Sequence, residues 1–311
     1  MAGTLERTRI PGGGQSQKLT AALLSVAINA GLISIEATIA VITGSLAVFA
    51  DAGHSFFDLL ASIAAVWGVR MASQPPDRSH PYGHHKFENL SSLFQVAMIS
   101  LIALFIFGQV GFSLANGYSL EVSNWAIAII AGTLIVDFIA ARYIGSVADA
   151  YGSSALEADA FHFTTDLWTK LAALGGLIGA RLGAEWIDPS AALVVAGIMV
   201  YTATRLGLRS TRVLLDAAPQ VGVEERVSAI LAQEAGSDGY HSLRMRQAGP
   251  WVFLDVALHM PDETTLIQAH EQAHRVAERL RTEIPEVREA IVHVEPEGHA
   301  ADHMEDHYTE S

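Results

Sequence analysis

Ala50-Asp51-Ala52-Gly53-His54-Ser55-Phe56-Phe57-Asp58 lies inside a long apolar run, and it returns as Ala158-Asp159-Ala160-Phe161-His162-Phe163-Thr164-Thr165-Asp166. Both copies read A-D-A-x-H-x-x-x-D. On a helix the His and the second Asp, four residues apart, project from one face about one turn from each other. The first Asp, three residues before the His, joins the same stripe. Both copies sit in segments long and apolar enough to span a bilayer. An ionisable group at membrane depth costs roughly 2.5–3.5 kcal/mol, and such groups mark substrate or ion paths. Two helices that each present a His and an Asp supply four N/O ligands, the number a tetrahedral zinc site takes. The plainer alternative, polar groups that only join helices, needs fewer than six ionisable residues.

Composition places this pair of motifs in a membrane protein. Of 311 residues, 50% are hydrophobic and 17% charged, too apolar for an ordinary soluble chain. The net charge of −14 is uneven: from Asp216 onward there are 7 Lys and Arg against 19 Asp and Glu, and before it 12 against 14. An acidic, His-bearing final third suits cation binding and argues against a nucleic-acid partner. With no Cys, a metal here must use imidazole and carboxylate, and no disulfide framework exists. The polar residues 1–18 precede an apolar run of spanning length, which reads as a retained first helix rather than a signal peptide.

Six segments pass the length test for spanning helices: Leu19–Val41, Leu46–Met71, Leu90–Leu114, Trp125–Ile144, Ala155–Leu182 and Ala191–Leu208. Thr43-Gly44-Ser45 forms the turn between the first two. Basic residues cluster on one side, at Arg70, Arg78, Lys86, Arg142, Arg205, Arg209 and Arg212, while the opposite loops hold only Arg181. Both termini are therefore expected to be cytoplasmic. The second and fifth helices then run antiparallel, which brings Asp58 and Asp166 to a similar depth near the bilayer middle. Asp51 falls toward the outer mouth and Asp159 toward the inner one. They read either as relay ligands or as helix caps and groups facing water.

The loop Ser73-Gln74-Pro75-Pro76-Asp77-Arg78-Ser79-His80-Pro81-Tyr82-Gly83-His84-His85-Lys86 can close Asp77, His80 and His84 on one ion, with Pro and Gly fixing the turn. After Pro219 the character changes. Val223–Ala235 has helical spacing, Tyr240–Arg246 and Trp251–Met260 alternate like strands around Gly249-Pro250, Thr264–Ile284 is an amphipathic helix with Leu266, Ala273, Val276, Leu280 and Ile284 on one face, and Ala290–Val294 is a last strand. The order αββαβ predicts a small α+β domain. Residues 298–311, with His299, His303 and His307, read as a disordered tail. His270-Glu271-Gln272-Ala273-His274 matches H-E-x-x-H, in which Glu271 would be the base of a zinc protease. That pattern is short, lacks a third ligand, and sits on a helix that the small domain needs for its core.

With these motifs together, the chain resembles the cation diffusion facilitator family of metal/proton antiporters, in its bacterial zinc and ferrous-iron efflux branch. The resemblance runs from Leu19 to about Glu297. It rests on the paired His-x-x-x-Asp helices, on Gln74-Pro-Pro-Asp-Arg-Ser-His-Pro-Tyr-Gly-His-His-Lys-Phe-Glu88, on Leu214-Leu-Asp216 and on Leu243-Arg-Met-Arg-Gln-Ala-Gly-Pro250. It implies six transmembrane helices (19–213) followed by a ferredoxin-like cytoplasmic domain (214–297), a homodimer, the bacterial inner membrane, and protons as counter-substrate. It implies a transport site of His54, Asp58, His162 and Asp166, a loop site of Asp77, His80 and His84, and an interface site of His241, His270, His293 and Glu295. Where relatives carry a further His this chain has Ala257, and His259, two residues on along the strand, keeps the same face. Lys86 and Asp216 match a charge interlock of the family's dimers.

Imidazole-plus-carboxylate sites suit Zn2+ better than Mn2+ or Mg2+, which prefer oxygen shells. Cd2+, Fe2+, Co2+, Ni2+ and, less well matched, Mn2+ remain candidates. Three functions compete: an exporter, a membrane metal sensor that moves nothing, and a metalloprotease using the HEQAH stretch. Ligands at membrane depth argue against the sensor. A nucleotide-driven pump would need a phosphate-binding G-x-x-x-x-G-K-[ST] stretch, which the sequence lacks.

Overall fold

The computed structural model describes residues 14–43, 46–116, 124–181, 187–219, 222–234 and 239–297. Gly44 and Ser45 of the first turn, the 1–13 stretch and the 298–311 tail lie outside the described residues. The chain divides between Thr211 and Arg212 into two compact units.

The first unit is built from α1 (Gln15–Thr43), α2 (Leu46–Ala72), α3 (Phe87–Asn116), α4 (Asn124–Tyr151), α5 (Ser154–Arg181) and α6 (Ile187–Leu214). At 27 to 30 residues each is roughly 40 Å long, more than the hydrocarbon core of a bilayer requires. The helices therefore continue past the apolar runs that locate them in the sequence. Most extended are the last two turns of α4, where Val147 and Ala148 join the core beside Ser146 and Asp149. Five of the six, all but α5, are long and apolar enough to cross a membrane. Glu157, Asp159, Asp166 and Lys170 interrupt the apolar run of α5.

Large apolar side chains such as Leu104, Phe105, Phe112, Ile139 and Tyr201 face outward, as a lipid-facing surface requires. The interior is made of small residues. Ala21 and Ala22 of α1, Ala140 and Ala148 of α4, and Ala155 and Ala160 of α5 pack around Ile144, Leu156 and Phe163. Small residues let helices approach closely where no water is present to drive them together. Gly68 shows how closely: a Cβ there would lie 2.4 Å from Ser91 Cβ on α3. Ser91 Oγ in turn donates to the Ala64 carbonyl of α2 at 2.6 Å. The α5 helix contacts α1, α2, α3 and α4, so its polar stripe is enclosed.

The second unit has the order α7 (Val223–Glu234), β1 (Tyr240–Ala248), β2 (Trp251–Met260), α8 (Leu266–Glu283), β3 (Val287–Pro296). The sheet order is β1-β2-β3, with β1 antiparallel and β3 parallel to β2. Gly249, at φ +59°, makes the tight β1–β2 turn. Val227, Ile230 and Leu231 of α7 pack with Val276 and Leu280 of α8 on Leu254, Val256 and Leu258 of β2. Thr265 and Gln268 close a capping box at the start of α8. The apolar face expected there is shorter than its spacing suggests: Leu266, in the first turn, is 84% exposed. A buried stripe starts only at Val276, the residue that reaches the α7–β2 core.

Candidate metal sites

Two antiparallel polar stripes converge where α2 packs on α5. Asp58, His162 and Asp166 are all buried, and one ligand atom of each lies within 4.8 Å of the others. His162 Nε2 and Asp58 Oδ1 stand 2.6 Å apart, and His162 Nδ1 is buried without a hydrogen bond. One imidazole and two carboxylates in this spacing are a donor set for a small divalent cation. The α2 backbone continues through His54 and Asp51, but their side chains lie outside the described ones.

Asp159 is fully buried among hydroxyls. It accepts from Ser62 Oγ at 3.0 Å, and Ser62 also meets Ser25 Oγ and Asn29 Nδ2, each at 2.7 Å. This polar knot joins α1, α2 and α5, so the helix-cap reading of Asp159 does not hold. Two further polar contacts were not legible in the motifs. Ser55 Oγ donates to buried Glu36 of α1 at 2.5 Å, and Lys170 of α5 pairs with buried Asp137 of α4. Glu36 and Asp137 are each a lone ionisable residue in an apolar run. The only sequence signal of each is the cost of placing it there.

In the α2–α3 loop, Asp77, His80 and His84 likewise offer ligand atoms within 4.8 Å of one another. Asp77 Oδ1 accepts from the His80 and Ser79 backbone N–H groups and from Ser79 Oγ. Those bonds, led by the one from His80, hold the Asp77 carboxyl below the ordinary carboxylate value. His84 Nε2 lies 3.4 Å from Asp77 Oδ2, and its buried Nδ1 makes no hydrogen bond. Gly83, at φ +89°, turns the chain so that His84 folds under His80, ring centroids 4.4 Å apart.

The third cluster lies on the sheet. Register pairs His241 with Ala257 and Ala257 with His293, so the alanine occupies the middle of a row flanked by two histidines. One row further, His259 pairs with Glu295. Alternation keeps both rows on one face. A bulge between His241 and Arg244, with Ser242 at φ +52°, accompanies the approach of the His241 and His259 rings to 4.8 Å. His241, His259 and Glu295 form the cluster, and Glu295 also reaches His293 at 3.4 Å. Of the expected interface residues, His270 does not join: it is exposed on α8, stacked on His274. The HEQAH pair gathers no third ligand among the described residues.

Lys86 belongs to the first unit and Asp216 to the second. Asp216 also ends α6. It takes φ +56°, and the next residue's N–H returns to the Arg212 carbonyl at 2.9 Å, a left-handed helix cap.

Comparison with known proteins falls on the same two units. Residues 22–215 match the family model described as the cation efflux transmembrane domain, and 220–297 the one described as the cation efflux protein, cytoplasmic domain. Metal tolerance protein C1 of Arabidopsis thaliana is 30% identical over 288 residues, 88% of this chain but 61% of that protein. Cation-efflux pump FieF of Serratia proteamaculans is 31% identical over 278 residues, 89% of this chain and 92% of its own. The protein of that name from Pectobacterium carotovorum is 32% identical over 259 residues, 82% of this chain and 84% of its own.

Proposed function

Because the chain belongs to the cation efflux family, a family of membrane transporters and not of enzymes, we propose that it exports Zn2+ from the cytoplasm in exchange for protons. The observation that carries this reading is the buried meeting of Asp58 with His162 and Asp166 from two different helices. His54, one turn before Asp58, completes the quartet. Asp51 and Asp159 flank it toward the outer and inner ends.

The chemistry follows from the donors. A neutral imidazole and an ionised carboxylate bind a divalent ion, and protons compete for the same atoms. The His162–Asp58 hydrogen bond occupies two of those atoms, so an arriving metal displaces it. Imidazoles titrate near physiological pH, which lets a modest pH gradient exchange metal for proton. Six helices span the bacterial inner membrane with both termini cytoplasmic, and rocking of the helices that carry the quartet exposes it to each side in turn. Asp77, His80 and His84 form a loop site at the cytoplasmic mouth. The 214–297 domain forms a homodimer in which metal at His241, His259, His270, His293 and Glu295 offsets acidic repulsion.

Zn2+ flux into proteoliposomes under an imposed pH gradient tests this, with Asp166→Ala alongside. Flux that follows the gradient and vanishes in the variant is the expected result. No flux in the unmodified protein with any of Zn2+, Cd2+, Fe2+, Co2+, Ni2+ or Mn2+, while the chain still binds zinc, would make it a sensor.

A further inference from the structure

Asp137 and Lys170 belong to none of the metal clusters above. Asp137 on α4 is fully buried; its Oδ2 accepts from Lys170 Nζ on α5 at 2.5 Å, and its Oδ1 makes no hydrogen bond. Lys170 follows Asp166 by four residues, so the two lie on one face of α5, one turn apart. Carboxylates from two other helices, α4 and α1, and one from α5 itself act on the ammonium. Asp137 bonds it, Asp166 and Glu36 act on it electrostatically, and Asp58 acts on Asp137. A single flexible cation thus stands between two aspartates, one of them a candidate metal ligand. An ammonium on a four-carbon stem can change carboxylates without backbone movement.

We infer that Lys170 is an affinity-setting residue, a tethered competitor for Asp166 that Asp137 restrains while metal is bound. The inference rests on Asp58, His162 and Asp166 being the transport site. With the ammonium on Asp137, Asp166 is available to the ion. With the ammonium on Asp166, the ion loses a ligand and leaves. A transporter needs a site weak enough to empty on each cycle, and a resident cation one turn away supplies that weakness without altering a ligand. The ledger of charge is unchanged in either position, so no additional proton is required.

The two partners make opposite predictions. Asp137→Asn keeps the side-chain shape but frees Lys170 to turn on Asp166, so Zn2+ binds about tenfold more weakly or worse. Asp137→Asn with Lys170→Met removes the competitor and leaves no charge stranded, so Zn2+ binds tighter than in the parent by a similar factor. Lys170→Met alone moves in the same direction as the double variant and serves if the double does not fold. Binding is read by Zn2+ titration calorimetry on the full chain in detergent. The parent carries Asp77→Ala and His241→Ala, so that the loop and sheet clusters do not contribute. A pair that serves structure only would weaken binding in every variant, or alter none; either pattern overturns the proposal. Asp166→Ala in the same parent separates the two readings: if it retains the zinc, the transport-site assignment fails rather than the role of Lys170.

Discussion

At the 2.6 Å approach of Asp58 and His162, each atom of the hydrogen bond is also a candidate ligand. Asp58→Asn preserves the size of the side chain and removes its charge. It should weaken zinc binding by more than the roughly 10–100-fold that loss of an outer-shell partner costs, read by titration of the full chain. Asp77 makes a pH prediction. Its folded-state pKa lies below the ordinary carboxylate value, so the loop order it supports is present above that value and lost as pH falls through the lower folded one. Amide exchange at Ser79 and His80 should therefore stay slow through pH 5 and accelerate only in stronger acid. Acceleration already near pH 6 would contradict the loop geometry.

Residues that share a periodic spacing were legible in the sequence. The shared face of His162 and Asp166 follows from the helical period alone, whereas His259 as the replacement for a histidine at Ala257 came from the family resemblance, and the strand period added only that the two positions share a face. Glu36, Asp137 and Lys170 were not, because each partner sits on a different helix and nothing local encodes the pairing. His270 was named for a site between two subunits, and its exposed position on α8 leaves that expectation untested within one chain.

Elements carry a different part of the argument. Helix existence followed from apolar length, but helix ends did not, since α4 and α6 continue through turns that mix polar residues with apolar ones. The capping box of α8 shows what local chemistry can fix. Thr265→Ala should cost about 1 kcal/mol, measurable as a lowered unfolding midpoint of the unit that contains it. The α2–α3 contact is stricter. Gly68→Ala places a carbon 2.4 Å from Ser91 Cβ, so one helix must shift. The expected loss is about 1–3 kcal/mol, seen as a lower melting temperature in detergent. Gly68→Ala with Ser91→Gly should recover much of it. Failure to recover would place the strain elsewhere.

The molecule as a whole is two cores of unlike origin. The membrane unit is held by alanine-lined helix contacts and a few enclosed polar bonds. The sheet unit is held by aliphatic burial between α7, α8 and β2. Leu280, fully buried in the second core, tests their independence. Leu280→Ala should cost about 2–5 kcal/mol, and calorimetry should show it in one transition only.

The Asp137–Lys170 bond also bears on how the chain is made. Its two ends are 33 residues apart, so α4 leaves the ribosome with its carboxylate before the lysine exists. A lone carboxylate in hydrocarbon costs about 2.5–3.5 kcal/mol, and α5 is the one helix of the six that is not apolar enough to cross by composition. The two charges can cancel only once both helices are in the bilayer, so the bond joins α4 and α5 late in the synthesis of the pair.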